Sequence, residues 1–563
     1  VGGFVLTHTK LTRLVPVEKA SMKDRSVIQW EKDDLEAIGM LKVDVLALGM
    51  LSAIRRGLEL MNHWRGTAVQ MYQVPNDDPK VFDMICEADT IGVFQIESRA
   101  QMSMLPRLKP RCYEDLVIEV AIVRPGPIQG GMVHPYLKAR ERIANKLPIH
   151  YEKDELRVAL ERTLGVPIFQ EQVMQIAMIA ARFSADEADQ LRRAMAAWKR
   201  KGGLDKFHGK LVQGMVANGY KESFAEAIFK QVMGFGDYGF PESHAASFAL
   251  LVTVSSWLKH YEPACFLAAL LDSQPMGFYS PSQLVQDARR HGVEVRPVDV
   301  NHSRIETTLE ARAGDAPRMP PGTSARYADR LGRENQPAVR LGLNRVGSLS
   351  DAGAQRIVEA RARGPFANTE DLALRAELDT RDMGALAAAD ALASLSGHRR
   401  QQVWDATAQR RAPALLKGVP IDEAPLALPA ASEGEEIVGD YGSLGLTLRS
   451  HPLALLRPRL ARMRLSNAAQ LHDLPSGQSV RACGIVMGRQ RPGTANGTIF
   501  VTLEDETGNV NVIVWQSVAQ AWREPLLKAK LLAVQGTWQR DTDSGGQVRH
   551  VVATGFKDLT PLL

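Results

Sequence analysis

Hydrophobic residues recur along the chain with two different periods, which predicts a long helical part followed by a shorter β part. Leu51, Ile54, Leu58 and Met61 fall on one face of a helix, and mostly helical spacing continues to about residue 300. Pro-Gly loops, such as the one at 124–127, interrupt this pattern. Residues 1–50 mix short apolar runs with turns, as at the edges of a sheet.

The last block of the chain has the texture of β-structure. Strands are predicted at 480–487, 498–504, 510–515, 531–539 and 548–553, with a helix near 517–528. This is the strand order of an OB-type β-barrel, a fold that commonly binds single strands or oligosaccharides. Phe500 and Trp538 are therefore either DNA-binding residues that stack on bases or members of the barrel core, and the sequence leaves both interpretations open.

Composition marks the remaining boundaries. Residues 311–340, rich in Arg, Pro, Gly and Ala, are predicted to be a loop or hairpin insertion, and two short helical modules occupy 341–410. Residues 411–470 begin with Pro, Ala and acidic residues and are predicted to be a linker. The other regions are 1–50, 51–310 and the barrel region 471–563, so the expected fold class is multi-domain α+β.

Composition also narrows the class of protein. A chain of 563 residues is longer than one hydrophobic core normally supports, so several domains are expected. Its content of 45% hydrophobic and 24% charged residues is ordinary for a globular protein. We expect no membrane span, because no run of about 18 apolar residues occurs. The four cysteines lie far apart, which disfavours zinc and disulfide frameworks and fits a reducing cytoplasm. A net charge of +5 is too small over this length to indicate a nucleic-acid partner.

The first candidate for chemistry is the stretch around Lys42 and Asp44. In a strand these two side chains share one face, while Leu41, Val43 and Val45 share the other. Aspartate is disfavoured in strands, so its presence needs a reason. Asp44 is either the acid of a surface salt bridge or a metal ligand beside a lysine that contacts phosphate.

The second candidate is a dense cationic stretch. Arg192 and Arg193 lead into Lys199, Arg200 and Lys201, followed by two glycines. Such a helix end suits a polyanion, because its charge is neutralised and arginine forms bidentate contacts. The alternative is a solvated helix end, and the flexible Gly-Gly turn favours the polyanion.

The third candidate is a glycine-rich aromatic loop, 234–242, which feeds a helix beginning near Ser243. Small residues let the backbone approach a ligand closely, and a helix N-terminus attracts anions. His244 is either part of such a site or a hydrogen-bonded residue at the start of the helix.

Six stretches together resemble the bacterial C-family DNA polymerases, the alpha subunits of polymerase III. In chain order they are LKVDVLALG (41–49), GVFQIES (92–98), VRPGPIQ (123–129), FQEQVM (169–174), LRRAM (191–195) and YGFPESHAA (238–246). Each stretch alone is weak evidence, but the order of all six is specific to the family. The residues of several stretches resemble those of its error-prone branch. The resemblance implies a remnant of the palm at 1–50, helical fingers at 51–310 and helix-hairpin-helix-like modules at 341–410.

The resemblance also implies site residues. Asp44 matches the third of three palm aspartates that bind two Mg²⁺ ions, which position the reacting groups and neutralise charge. Lys42, Arg192 and Arg193 match residues that bind the incoming deoxynucleoside triphosphate. The family's loop beside the nucleotide's sugar is matched here by Tyr238, Gly239, Ser243 and His244. Lys199, Arg200 and Lys201 are expected to bind DNA.

The expected function is template-directed nucleotidyl transfer on primer-template DNA, in error-prone translesion synthesis after DNA damage. Other translesion or replication proteins are expected as partners. The first two aspartates are expected upstream, outside this chain, so the chain is interpreted as an inactive C-terminal fragment of the enzyme. Alternatives are a replicative alpha subunit or, for the fragment alone, a non-catalytic DNA-binding module. Ser348-Leu349-Ser350 stands where the helix-hairpin-helix motif has Gly-hydrophobic-Gly, which puts DNA contact by that hairpin in doubt.

Overall fold

The computed structural model describes residues 3–20, 25–30, 34–35, 38–44, 47–124, 127–128, 131–201, 205–238, 241–312, 336–408, 426–492, 495 and 497–563. The side chains of residues 44, 196–201, 205–206 and 235–238 lie outside this description.

Short antiparallel strand pairs form the N-terminal region. Strand β1 (Gly3–Leu6) pairs with β4 (Leu41–Asp44), and β2 (Val17–Lys19) pairs with β3 (Ser26–Ile28). A small buried cluster of Val15, Leu35 and Met40 lies with them. The predicted strand at Lys42 and Asp44 is confirmed.

Helices form the region from residue 48 to residue 290. In chain order they are α1 (Leu48–Arg65), α2 (Pro79–Cys86), α3 (Arg99–Leu108), α4 (Tyr113–Ile122), α5 (Val133–Ala144), α6 (Arg157–Leu160), α7 (Gln170–Ala181), α8 (Ala185–Lys201), α9 (Asp205–Ala217), α10 (Glu222–Tyr238), α11 (Glu242–Tyr261), α12 (Pro263–Asp272) and α13 (Pro281–Arg290). Helix α11 is the central one, because most of its residues from Ala245 onward are buried against α4, α12 and α1. A helix that is apolar nearly all round is buried in this way.

The buried face of α1 differs slightly from the predicted one. Ile54, Leu58 and Met61 are buried as expected, but Leu51 is exposed and Met50 takes its place in the core. The helix begins at Leu48, so Met50 and Ile54 lie one turn apart on the face that meets α12.

The helical region leads into a small sheet and the short helical modules. Strand β7 (Ala338–Arg340) pairs parallel with β5 (Val295–Arg296) and antiparallel with β6 (Thr308–Glu310). The predicted insertion at 311–340 therefore joins two paired strands, and its residues 313–335 lie outside the described part of the chain. The helices that follow are α14 (Asp351–Arg361), α15 (Thr369–Arg375), α16 (Thr380–Ala388), α17 (Ala393–Ser396) and α18 (Arg399–Ala408).

The segment predicted as a linker, 411–470, is largely helical where it is described. It contains α19 (Glu433–Leu444), α20 (Pro452–Arg462) and α21 (Ala468–His472), while residues 409–425 lie outside the description. Arg399 of α18 forms buried ion pairs with Glu436 and Asp440 of α19. This part of the chain is therefore fixed to the helical modules, which an extended linker would not be.

The C-terminal region is a closed five-stranded barrel, as predicted. Its strands are β8 (Ser479–Gln490), β9 (Ile499–Asp505), β10 (Gly508–Val514), β11 (Leu531–Arg540) and β12 (Arg549–Asp558), in the spatial order β10-β12-β11-β8-β9, with α22 (Gln516–Ala521) and α23 (Arg523–Lys528) between β10 and β11. Parallel pairing of β10 with β12 closes the barrel. Among the described helices, none combines the length and apolar character needed to cross a lipid bilayer.

Trp538 corrects one interpretation of the barrel. Its side chain is 2% exposed and lies in the barrel core with Val501, Leu503 and Val551. The prediction that Trp538 stacks on a base is therefore wrong for this structure, because the ring has no open face.

Candidate nucleotide and nucleic-acid site

The end of strand β4 places Lys42 and Asp44 on one face. In the β1–β4 pair Lys42 lies opposite Val5 and Asp44 lies opposite Gly3. Lys42 and Asp44 are two positions apart in the strand, so they lie on the same side of the ribbon. Lys42 is exposed. The side chain of Asp44 lies outside the description, so the role of Asp44 as a metal ligand stays a prediction.

Helix α8 brings its two arginines together through one carboxylate. Arg192 Nη2 lies 2.9 Å from Asp189 Oδ1, and Arg193 Nε lies 2.8 Å from Asp189 Oδ2. Consecutive residues point about 100° apart on a helix, so a shared partner is needed to hold the guanidinium groups side by side. The hydrogen bond from Arg192 and the two positive charges lower the pKa of Asp189.

Both arginines of this pair are open to solvent, since their side chains are 41% and 74% exposed. Sequence reasoning did not single out Asp189, although an acid three and four residues before two arginines is the spacing of helix ion pairs. The side chains of Lys199, Arg200 and Lys201, at the end of the same helix, lie outside the description.

The start of α11 carries Ser243 and His244, two of the residues predicted to lie beside the sugar. Tyr238 is instead the last residue of α10, so residues 234–238 of the predicted loop are helical. Ser243 is exposed, and the half-buried ring of His244 packs on Phe248 with a centroid distance of 4.3 Å. Burial and the nearby charge of Arg124 lower the pKa of His244, which favours a neutral imidazole. The side chain of Tyr238 and the whole of Gly239 lie outside the described residues.

Two residues of this region were missed by sequence reasoning. Arg124 Nη2 donates to Gln95 Oε1 at 2.8 Å, and Gln95 has a φ of 62°, in the left-handed region. Both residues occur in stretches that carry the family resemblance, which was the available signal. The structure therefore joins the 92–98 stretch to the 123–129 stretch.

In the hairpin before α14, amide and hydroxyl donors form hydrogen bonds to oxygen atoms of the protein itself. Ser348 takes a φ of 68°, so serine does adopt the backbone conformation for which glycine is usual. The amide of Ser350 donates to Asp382 Oδ1 at 2.9 Å, and its hydroxyl donates to Oδ2 at 2.8 Å. The amide of Gly347 donates to the Ser443 carbonyl at 2.7 Å. Because these donors are already paired within the protein, the contacts argue against phosphate binding by this hairpin.

The barrel meets the fingers through its β9–β10 face. Arg99 of α3 donates from Nη1 to the Val501 carbonyl at 3.0 Å and lies over the Phe500 ring, 5.2 Å from its centroid. Arg107 of the same helix forms an ion pair with Asp541 at 3.0 Å. Phe500 is half-buried and points out of the barrel, since its neighbour Val501 fills the interior. The ring that was predicted to stack on a base is therefore covered by Arg99 here.

A second charged cluster lies inside the helical region that ends at residue 290. Among the described residues, Asp89, Asp287 and His291 form the one group of buried side chains with metal-ligand spacing. The Lys259 ammonium occupies it, 2.7 Å from Asp287 Oδ2 and 3.3 Å from Asp89 Oδ1. The ammonium of Lys259 thus already supplies a buried positive charge to these acids.

Comparison with known families agrees with this architecture. The chain matches the bacterial DNA polymerase III alpha NTPase domain over residues 1–47 and the finger domain of the same subunit over 50–219. A helix-hairpin-helix motif matches 292–402, and an OB-fold nucleic acid binding domain matches 480–559.

Several curated relatives match the chain along its whole length. Proteins named error-prone DNA polymerase from Burkholderia pseudomallei (strain K96243) and Ralstonia nicotianae are 57% and 56% identical over 571 and 577 residues, covering 100% of this chain and 52% of each relative. One from Alkalilimnicola ehrlichii is 54% identical over 558 residues, covering 99% of this chain and 52% of the relative. The chain thus spans about half the length of the curated relatives it matches. It belongs to the bacterial DNA polymerase III alpha family, on the branch of the error-prone DNA polymerases.

Proposed function

We propose that the full protein containing this chain is a DNA-directed DNA polymerase that extends a primer by template-directed nucleotidyl transfer. The observation that carries the proposal is the exposed pair Arg192 and Arg193, held side by side by Asp189 at the family's nucleotide-binding position. Two adjacent guanidinium groups suit the oxygens of a triphosphate, because each forms bidentate, charge-assisted hydrogen bonds.

The other residues of the site have distinct roles in this proposal. Lys42 meets the triphosphate as a compact positive charge from the face of β4. Ser243 and His244 border the nucleotide's sugar, where a neutral imidazole accepts or donates one hydrogen bond and shapes the space beside the 2′ carbon. The phosphoryl transfer itself needs positioning and charge neutralisation more than covalent chemistry.

The family implies divalent metal ions, and the described geometry is consistent with one of their ligands. Asp44 lies at the end of a strand on the same face as Lys42, and carboxylate oxygen is the ligand type that Mg²⁺ prefers. Bound there with the two aspartates expected earlier in the full protein, Mg²⁺ would activate the primer hydroxyl and stabilise the leaving pyrophosphate. Lys42 would then neutralise the negative charge of the triphosphate that the metal ions do not neutralise.

The cellular setting is part of the proposal. The relatives are named error-prone DNA polymerases, which supports error-prone DNA synthesis. The proposal adds, from the sequence resemblance, synthesis past damaged template bases, deoxynucleoside triphosphates as substrates and other translesion or replication proteins as partners. The four cysteines are free thiols, which fits a cytoplasmic location.

The replacement Asp44→Asn in the full-length protein tests the active site. We expect unchanged affinity for primer-template DNA and loss of most nucleotide incorporation, because a metal ligand is removed and a DNA contact is not. Glu18→Gln, at an exposed carboxylate on strand β2 of the other N-terminal strand pair, is the matched control and should extend primers normally. Extension by Asp44→Asn within about threefold of wild type would assign Asp44 to a surface salt bridge.

A second experiment separates the error-prone from the replicative reading. Full-length protein is given a primer annealed to a template with one abasic site, and products past the site are measured. Error-prone function predicts extension beyond the lesion, whereas a stop one nucleotide before it supports the replicative alternative.

A further inference from the structure

Three neighbouring strands of the barrel align a row of residues on their outer face. Gln535 of β11 lies opposite Gly555 of β12 on one side and opposite Arg481 of β8 on the other. Each of the three has an immediate sequence neighbour in the barrel core, namely Val480, Val534 and Phe556. Because side chains alternate along a strand, the row points outward, and it spans about 10 Å at an interstrand spacing of about 4.8 Å.

Trp522 lies flat over one end of this row. A methyl group placed on Gly555 would lie 3.3 Å, 3.5 Å and 3.7 Å from the Trp522 ring atoms Cζ2, Cε2 and Nε1. Similar distances to three ring atoms mean that a face of the indole covers the glycine, and a larger residue at 555 would crowd it. Trp522 is still 41% exposed, so part of the ring is open to solvent.

The connection that carries Trp522 is fastened to the barrel. Val518 of α22 packs against the barrel core, and the Arg489 guanidinium of β8 donates to the carbonyls of Leu526 and Ala529 at the end of α23. The indole is therefore positioned before any ligand arrives, which lowers the entropic cost of binding.

The other end of the row continues into the segment that follows α20. The Ser466 amide donates to the Arg481 carbonyl at 2.8 Å, and Ser466 also pairs with Ala482 of β8. Arg464 precedes Ser466 by two residues, so its backbone lies within about 7 Å of this contact. Two more arginines occupy the end of α20 just before it, Arg459 and Arg462.

The charge on this side of the barrel is uncompensated. All four arginines, at 459, 462, 464 and 481, are exposed, and none forms an ion pair with an acid in the part of the chain that the structure describes. Arg457 of the same helix differs, because it is half-buried and pairs with Glu506. Aligned positive charges next to an exposed aromatic ring are the combination that binds single-stranded nucleic acid.

We propose that an outer row, made of Trp522, Gln535, Arg481 and Arg464, binds single-stranded DNA on a surface separate from the β9–β10 face. One base stacks on Trp522, and the arginines contact phosphates of the same strand. A duplex does not expose the faces of its bases, so the aromatic end favours a single strand. The inference rests on the proposed polymerase function for the origin of the strand, which is unpaired template, and the outer row stays open while Arg99 covers Phe500.

Fluorescence anisotropy with full-length protein and labelled oligo-dT tests the cationic end. Arg481→Gln and Arg464→Gly should each weaken binding and reduce the slope of log K against log salt by about 0.7, the value for one phosphate contact on a single strand. Glycine suits the φ of 58° at position 464, so this change adds no backbone strain. Arg157→Gln, at an exposed arginine of α6 paired with Glu161, is the control and should keep the wild-type slope.

The aromatic end is tested by comparing oligo-dT with an abasic oligonucleotide of the same length. Trp522→Leu should weaken oligo-dT binding by roughly five- to a hundredfold, the range for one base stacked on an aromatic ring, and leave the salt slope unchanged. The abasic strand, which has phosphates but no bases, should bind this variant and wild type equally. Trp522→Phe keeps an aromatic ring and should retain most of the affinity for oligo-dT.

A further variant guards against loss of the fold at position 522. Gln535→Glu places a negative charge in the middle of the outer row at an exposed position and should weaken binding of both oligonucleotides. Wild-type salt slopes in both arginine variants, or equal losses of oligo-dT and abasic strand in Trp522→Leu, would overturn the inference.

Two other results are distinguishable from these. If the arginine variants lose affinity for polyglutamate and bind oligo-dT as wild type does, the surface binds an acidic protein segment and the inference is wrong. Failure of the proposed function would appear in primer extension, where Asp44→Asn would then extend normally whatever the outer-row variants bind.

Discussion

At the scale of single residues, the organisation of charge around α8 explains how neighbouring arginines can serve one ligand. Asp189 shares its two oxygens between Arg192 and Arg193, which lie on different sides of the helix axis. An exposed ion pair of this kind adds little stability by itself. Its consequence is geometric, because it holds two flexible cations close to one position.

Replacing one of these arginines should affect the nucleotide and not the DNA. Arg193→Ala in the full-length protein is expected to lower kcat/KM for the dNTP by roughly ten- to a hundredfold, corresponding to about 1.5–3 kcal/mol for a lost hydrogen bond to a charged group. Affinity for primer-template DNA should stay within about twofold. Weaker DNA binding with unchanged nucleotide kinetics would instead make this stretch a DNA-binding surface.

The lysines and arginine at the end of α8 should behave in the opposite way. If Lys199, Arg200 and Lys201 contact the DNA backbone, alanine at each position should weaken DNA binding and reduce the slope of log K against log salt by about one per lost phosphate contact. Fluorescence anisotropy at several salt concentrations measures this slope. An unchanged slope, with a changed nucleotide KM, would move these residues into the nucleotide site.

At the scale of elements, α4 contains a buried acid that makes stability depend on pH. Within the described part of the chain neither carboxylate oxygen of Glu119 has a hydrogen-bond partner, and burial raises its pKa from 4.5 to about 8. The folded protein therefore keeps this proton up to about pH 8, whereas the unfolded chain releases it near 4.5. Its contribution to stability is complete below pH 4.5 and is lost as the pH rises through about 8.

Glu119→Gln should remove this dependence. Denaturant unfolding of the chain at pH 5, 6, 7 and 8 should show that the variant loses less stability with rising pH, by up to about 1.4 kcal/mol per pH unit. Glu97, whose pKa burial also raises to about 8, keeps part of the slope in the variant. Glu141→Gln, at an exposed position of α5, should keep the full wild-type slope. Equal slopes in wild type and Glu119→Gln would show that Glu119 is ionised in the folded state.

At the scale of the whole molecule, the barrel is attached to the fingers by the face that OB barrels use for single strands. Arg99 covers Phe500, and burial lowers the pKa of Arg99 to about 10. His550 lies near both Arg99 and Arg107, whose charges add to the burial that lowers its pKa. A stacking role for Phe500 thus requires the barrel to separate from α3.

Arg99→Ala tests this closed arrangement. Exposure of Phe500 should strengthen binding of labelled oligo-dT by roughly five- to a hundredfold, the range for one base stacked on an aromatic ring. Adding Phe500→Ala should return the affinity to that of wild type, and Arg111→Ala on the fingers surface is the control. Weaker binding by Arg99→Ala would mean that Arg99 itself contacts the strand.

Local sequence patterns determined the elements of this protein. The strand order of the barrel, the strand at Leu41–Asp44 and the helices of the fingers follow from periods of two and 3.6 residues, which depend on near neighbours alone. The six stretches in order identified the family for the same reason, because their amino-acid sequence can be read without knowing any tertiary contact.

Only the tertiary structure decided which side of an element is covered and by what. Trp538 and Phe500 have the same aromatic character in the sequence, yet one fills the barrel and the other meets Arg99 of a distant helix. Leu51 is exposed because α12 meets α1 on the side of Met50. The contact between Gln95 and Arg124 likewise joins residues 29 positions apart. Such contacts depend on packing between elements, which neither spacing nor composition contains.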